Sequence, residues 1–249
     1  MSRPGLGRRA LAEALGTGLL VSAVVGSGAM ATRLSPGEAG LQLLANSIAT
    51  AFALAVLILI FGPVSGAHFN PVVSLADWWL GRRDRAGLSA RELGGYLVAQ
   101  LVGAVAGCVV ANLMFDLPAV ALSSTRRGGA PLWLGEVVAT GGLVLLVFAL
   151  ARAGRASVTP AAVGAYIGAA YWFTSSTSFA NPAVTVGRVF TDSFAGIAPA
   201  SVPGFVVAQL IGLVVGVGVL VVLYPDAGRA ADAVVDAKAP AAPVRAAGA

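Results

Sequence analysis

Apolar residues in this chain form long unbroken runs, unlike the alternation of strands or the one-sided pattern of soluble helices. A helix needs about 20 apolar residues to cross the hydrocarbon core of a bilayer. The chain is therefore predicted to be an all-α membrane protein with six transmembrane helices, over residues 10–31, 41–62, 93–115, 132–151, 158–173 and 202–224. The fifth run is short for a full crossing unless it extends at its ends.

Two shorter apolar segments each follow an Asn-Pro pair. Asn70-Pro71 and Asn181-Pro182 are both preceded by small and polar residues. Asn is a preferred N-cap and Pro suits the first helical position, so helices are predicted over 71–80 and 182–191. Ten helical residues span about 15 Å, half of the roughly 30 Å core. Two such half-helices entering from opposite faces would meet end to end near the midplane.

An internal repeat relates residues 10–115 to residues 132–224. Each copy contains three predicted spans, an odd number, so the second copy must lie upside down relative to the first. This arrangement has a pseudo-two-fold axis in the membrane plane, as in many transporters and channels. The residues that recur in the same order are Glu13 and Glu136, Asn70 and Asn181, and Gln100 and Gln209.

Composition agrees with a multi-pass membrane protein, since 57% of residues are hydrophobic, 11% are charged and the mean hydropathy is +0.86. The net charge of +5 does not indicate nucleic-acid binding, because the basic residues are divided among short connections. Most of them lie on one side, which predicts a cytoplasmic N-terminus (1–9), a channel domain (10–224) and a disordered cytoplasmic tail (225–249) in the cell (inner or plasma) membrane. The other side keeps only Arg33, Arg126, Arg127 and Arg188.

The first apolar run has a competing interpretation as a cleaved signal peptide. Residues 1–9 are basic, and Ala29-Met30-Ala31 resembles a peptidase site. Glu13, however, lies just inside the run, where a carboxylate is of no use to a signal peptide, and it has a counterpart in Glu136. We interpret residues 10–31 as the first transmembrane helix.

The loops before the two Asn-Pro pairs are predicted to line a water-accessible path, because non-helical backbone at membrane depth is tolerated only where it is shielded or wet. Backbone carbonyls would supply acceptors along this path, and the amides of Asn70 and Asn181 would supply donors at its centre. The positive ends of the half-helices disfavour cations, so they are expected to exclude protons without further help. The predicted carbonyls are those of Gly66, Ala67, His68, Thr177, Ser178 and Phe179.

Glu13 and Glu136 are carboxylates within apolar spans, where ionisable groups usually have a function. One interpretation is structural, with each glutamate accepting hydrogen bonds from the irregular loop of its own half. The other is a proton relay in a coupled transporter. No cofactor or metal site is predicted, since the single histidine, His68, has no companion ligands nearby and either faces the pore or packs in its loop. No catalytic constellation converges either, so an enzyme is not expected.

Taken together, these motifs resemble the aquaporin and glycerol-facilitator (major intrinsic protein) family, over about residues 8 to 224. The resemblance implies six tilted helices and two half-helices around one pore per subunit, in a homotetramer, conducting water and small neutral solutes. It also implies a central constriction at Asn70, Pro71, Val72, Asn181, Pro182 and Ala183.

Two positions depart from the family pattern. Val72 stands in place of the Ala of the first Asn-Pro-Ala, and Val184 stands where the family usually carries an Arg in its outer filter. The other filter positions by offset are Thr50, Ser178 and Ala169 or a neighbour. A wide and uncharged filter is therefore expected, suited to polyols or undissociated metalloid acids such as arsenous acid, as in the metalloid-conducting branch.

Arg188 leaves two interpretations open, because it lies one helical turn beyond Val184. It either reaches the vestibule or stands exposed at a loop end. Two other classes also remain as alternatives: an ion-coupled secondary transporter that uses broken helices and the intramembrane glutamates, and a membrane-structural or adhesive protein with a closed pore.

Overall fold

The computed structural model describes residues 3–82 and 87–225, and the predicted disordered tail lies outside them from residue 226 onward. Within the described part, all regular structure is helical. Five helices, α1, α2, α4, α5 and α8, are long and apolar enough to cross a membrane. The α-helices are α1 (Leu6–Leu34), α2 (Ala39–Ser65), α3 (Pro71–Gly81), α4 (Ala90–Met114), α5 (Ala130–Arg152), α6 (Thr159–Phe173), α7 (Pro182–Gly187) and α8 (Val202–Leu223).

Helix α6 is the short fifth span that the sequence predicts. Its 15 residues rise about 23 Å, and a 3₁₀ turn over Ala156–Val158 precedes it. The six predicted spans thus correspond to five long helices and a shorter fifth one, α6.

The half-helices are α3 and α7, and both begin at the predicted prolines. The Asn70 side chain accepts a hydrogen bond from the backbone N–H of Val72 at 3.1 Å. The Asn181 side chain accepts from Ala183 at 2.9 Å and from Val184 at 3.2 Å. The second half-helix is shorter than predicted, since α7 ends at Gly187 and a 3₁₀ turn continues to Phe190.

The two halves repeat the same packing, α1 against α4 in the first and α5 against α8 in the second. Glycines bring these helices into backbone contact. A Cβ atom added to Gly107 would lie 2.0 Å from the carbonyl oxygen of Gly18, and one added to Gly216 would lie 2.5 Å from that of Gly141. Small residues permit such close approach between transmembrane helices.

The distribution of polar residues is the reverse of that in a soluble protein. Large apolar side chains face outward, such as Phe52, which is 70% exposed, and Val222, which is 80% exposed. Glu13, Glu136 and Gln100, in contrast, are fully buried. Such an apolar outer surface is suited to contact with lipid. The buried polar groups lie at the centre, where the two half-helices meet.

The connection between α4 and α5 is hydrogen-bonded to the segment between α7 and α8. The backbone N–H of Ser123 donates to Val189 at 2.9 Å, and that of Ala198 donates to Thr125 at 2.7 Å. Asp192 accepts hydrogen bonds from the backbone and the hydroxyl of Ser124, and these bonds lower the pKa of its carboxyl group. This connection is thereby fixed to the segment that follows α7.

Candidate functional site

The loops that lead into α3 and α7 have the same unusual backbone. Ala67 and Phe69 in the first loop have φ angles of 50° and 48°, and Ser178 and Ala180 in the second have 51° and 48°. Each pair occupies the positions three and one before the Asn. Left-handed backbone at a non-glycine residue costs about 1–3 kcal/mol and persists only where the surroundings impose it. The two buried glutamates supply that constraint.

Glu13 holds the first loop through both carboxylate oxygens. Oε1 accepts from the Ser65 hydroxyl at 2.6 Å and from the backbone N–H of His68 at 3.0 Å. Oε2 accepts from the backbone N–H of Phe69 at 2.7 Å and from the amide of Gln100 at 2.8 Å. All of these partners belong to the first half of the chain.

Glu136 does the same for the second loop. Its carboxylate accepts from the backbone N–H groups of Phe179 and Ala180, both at 2.8 Å, and from the amide of Gln209 at 2.6 Å. Gln209 also donates to Thr185 on α7 at 2.9 Å. The carboxylate thus fixes the loop, and the glutamine links that carboxylate to the half-helix.

The two loops are joined by a reciprocal pair of hydrogen bonds. The Nδ2 of Asn70 donates to the carbonyl of Ala180 at 2.7 Å, and the Nδ2 of Asn181 donates to the carbonyl of Phe69 at 2.8 Å. Each amide carries a second hydrogen, which these bonds leave available. The N-termini of α3 and α7 therefore meet, with one amide donor from each half at the junction.

A cavity of about 90 Å³ runs beside this junction, whereas a single water needs only about 10–15 Å³. The two pore loops line it through residues 66–70 and 178–181, which include Asn70 and Asn181. Apolar side chains of the surrounding helices line it as well, among them Leu20, Val24, Leu54, Leu143, Val147 and Val163.

We call the part of the cavity wall formed by Thr50, Tyr171, Ser178 and Arg188 the filter end. The hydroxyl groups of Thr50 and Tyr171 lie 3.1 Å apart and are hydrogen-bonded. Ser178 and Arg188 line the same cavity, and both are buried. Arg188 donates from Nε to the carbonyl of Ala195. The filter end therefore combines three hydroxyl groups with a guanidinium.

Two expectations about the filter are wrong. Ala169 is exposed on α6 and does not line the cavity, whereas Ile167 and Tyr171 do. Together with Val163 these residues follow an i, i+4, i+8 spacing, which places them on one helical face and Ala169 on another. Arg188 also contradicts the expectation of an uncharged filter, and Tyr171 adds an aromatic side chain to it. The i+4 spacing from Val184 to Arg188 is the sequence signal that pointed to this position. Arg188 is buried, which excludes the interpretation that it stands exposed at a loop end.

Several predicted pore residues lie beside the cavity rather than on its surface. Val72 and Ala183 are fully buried in the core, and Pro71 and Pro182 are buried as first residues of the half-helices. The extra methyl groups of Val72 therefore pack against protein. Thr177 does not line the cavity, and the part of the second loop that does line it begins at Ser178.

His68 does face the cavity, and its Nδ1 lies 3.0 Å from the Ser74 hydroxyl. No group of three potential metal-ligating residues occurs in the part of the chain that the structure describes.

Comparisons with known proteins agree with this architecture. A family profile described as "MIP: Major intrinsic protein" matches residues 1–180. The chain is 54% identical over 209 residues to "Aquaglyceroporin AqpS" of Rhizobium meliloti (strain 1021). This alignment covers 84% of this chain and 87% of the relative. The chain is 32% identical over 196 residues to "Probable aquaporin TIP1-1" of Oryza sativa subsp. japonica, covering 74% and 75% respectively.

Among solved structures, the aquaglyceroporin from Plasmodium falciparum superposes with a TM-score of 0.63 at 22% identity, covering 88% of this chain and 96% of that one. This likeness shows the fold. With the sequence matches and the paired Asn-Pro half-helices, it identifies the chain as a member of the major intrinsic protein family.

Proposed function

We propose that this protein is a passive channel for water and small uncharged solutes. The observation that supports it is the cavity beside the two joined half-helices, which is lined by the pore loops with Asn70 and Asn181 and by apolar side chains. A solute hydroxyl can exchange its hydrogen bonds with water for bonds to carbonyls and to Asn70 and Asn181, while its carbon or metalloid atoms contact the apolar side chains. The relatives' printed names, aquaglyceroporin and aquaporin, agree with this function.

The solutes we propose are polyols and undissociated metalloid acids of the arsenous acid type. Val184 lines the cavity where the family resemblance leads one to expect Arg. Its short side chain leaves more space than a guanidinium would at that position, and both solute types carry several hydroxyl groups for the polar groups of the cavity. Stopped-flow permeability to water, glycerol and arsenous acid, measured in the same vesicles, tests the proposal directly. If the flux of one of these solutes is no greater than through lipid alone, that solute is excluded as a substrate of the channel.

Replacing Val184 by Arg is expected to lower glycerol and arsenous acid permeability by about tenfold, equivalent to roughly 1.4 kcal/mol in barrier height, and to leave water flux nearly unchanged. The added side chain narrows the filter end, and water is the smallest of the three solutes. Val184→Met is the matched control, because it adds length without charge. Equal solute selectivity in wild type and Val184→Arg would show that this position does not set the size limit.

The ion-coupled transporter is less well supported. Glu13 accepts four hydrogen bonds and Glu136 accepts three, so both carboxylates are occupied by the loops they hold. A carboxylate that relays protons has to exchange these partners in every cycle. Flux that is linear in solute gradient and independent of pH and sodium gradients is expected for the channel.

We further propose that the protein lies in the cell membrane as a homotetramer with both termini in the cytoplasm. The orientation is supported by the distribution of basic residues, and in this orientation the filter end would face the outside of the cell. The tetramer is supported by the family resemblance.

A further inference from the structure

Arg188 is a buried cation at the filter end, and it forms no salt bridge with another residue in the described part of the chain. It begins the 3₁₀ turn that continues α7, four residues after Val184, and is 3% exposed. The salt bridges that Glu92 forms are with Arg3 and Arg9. A buried charge is expensive unless it is paired or serves a function.

The guanidinium of Arg188 is held against the wall of the cavity. Its Nε donates to the Ala195 carbonyl, and its central carbon lies 3.5 Å from the centre of the Phe179 ring. Arginine stacks well on aromatic faces because its guanidinium is planar and weakly hydrated. In the described part of the chain, Nη1 and Nη2 have no protein acceptor, which leaves their N–H groups for whatever occupies the cavity.

A second guanidinium reinforces this arrangement. Arg127 lies 5.3 Å from the centre of the same Phe179 ring and donates to Phe194 at 3.2 Å and Gly196 at 3.0 Å. Three consecutive carbonyls, those of residues 194–196, thus hold two cations on one side of the filter. These contacts are with neutral carbonyls and an aromatic ring, so they do not neutralise either positive charge.

We propose that Arg188 is the charge-selective residue of this pore, acting from one turn beyond position 184. Its positive charge repels cations that enter the filter end, and its Nη groups donate to the oxygen atoms of neutral solutes. Because Ala195 and Phe179 hold this side chain against the wall, the charge of the filter and the width of the filter are set by different residues. The filter is positively charged, yet Val184 keeps it wide, a combination that an arginine at position 184 would not allow.

This inference rests on the proposed channel function, and both can be tested in one preparation. Full-length wild type, Arg188→Gln and Arg188→Lys are reconstituted in vesicles for glycerol permeability and in planar bilayers for potassium conductance. Arg188→Gln is expected to raise the ratio of potassium conductance to glycerol permeability about tenfold or more, because it removes the positive charge and keeps an amide donor at this position. Arg188→Lys keeps the charge and is expected to conduct as little potassium as the wild type.

Arg33→Gln is the matched control, since it removes one exposed arginine on the same predicted side, away from the cavity. It should leave both readouts at the wild-type level. Potassium conductance in Arg188→Gln equal to wild type, with glycerol flux intact, would overturn the inference. Should Arg188→Gln not assemble, Arg188→Leu and the double variant Val184→Arg with Arg188→Leu take its place. A double variant that leaks potassium as freely as Arg188→Leu alone counts against charge selectivity, whereas absence of glycerol flux in the wild type refutes the channel function itself.

Discussion

Glu136→Ala is expected to abolish channel flux and to destabilise the fold by about 3 kcal/mol or more, since each of the stranded donors costs about 1–3 kcal/mol. The change removes the acceptor of two backbone N–H groups, those of Phe179 and Ala180, and of the Gln209 amide. The bilayer core contains no water that could replace the lost acceptor. The left-handed residues of the second loop then lose the group that imposes their backbone, and the acceptors along the cavity lose their alignment.

The measurements are thermal unfolding in detergent and glycerol permeability in vesicles at matched protein density. Glu38→Ala is the control, because Glu38 is exposed and makes no side-chain capping bond at the start of α2. Glu38→Ala should match the wild type in melting temperature and in glycerol permeability. Glu136→Gln adds a finer test, because an amide places a donor where only acceptors are useful, so it should also lose flux. A Glu136→Ala protein with normal melting and unimpaired flux would disprove the structural role.

The same variant separates the two functional classes. In an ion-coupled transporter, neutralising Glu136 removes dependence on the ion gradient while passive exchange of bound solute persists. In the channel, flux is gradient-independent before the change and absent after it. The outcome therefore bears on mechanism as well as on stability.

The Asn-Pro pairs made the central architecture predictable from sequence. Pro71 and Pro182 fix where the half-helices begin, since proline suits the first helical turn and the preceding Asn caps it. Their apolar segments are too short to cross the membrane, so each must stop inside it. The order of glutamate, Asn-Pro and glutamine in both halves then gave the inverted repeat. These signals are local, and the structure follows them closely.

The filter end was less predictable, because it depends on the rotation of helices and not on their position along the chain. An offset from the Asn-Pro motif led to Ala169, but the phase of α6 is set by its packing on α2, where Gly164 lies against the Ala51 backbone. Tyr171 therefore faces the cavity. Arg188 was ambiguous for a different reason. Its burial depends on the Ala195 carbonyl and the Phe179 ring, contacts that no spacing in the sequence reveals.

Gly107→Val is expected to destabilise the protein by about 3 kcal/mol or more, at the upper end of overpacking costs. A Cβ at this position would meet the carbonyl oxygen of Gly18 at 2.0 Å and its Cα at 2.7 Å. Both are backbone atoms of α1, so no side-chain rotation relieves the clash, and α1 and α4 must move apart. Separation also shifts Glu13 on α1 from Gln100 on α4, which share a 2.8 Å hydrogen bond.

Gly94→Val is the matched control, since Gly94 lies on the same helix and a Cβ there has no neighbour within 4 Å. Melting temperature and the monodisperse fraction after heating are measured for both variants in one detergent. Gly94→Val should melt close to the wild type and Gly107→Val far below it, with reduced glycerol flux where it survives reconstitution. Similar melting of the two variants would show that contact between α1 and α4 tolerates added volume. The close approach of these helices would then not be what holds Glu13 against the first pore loop.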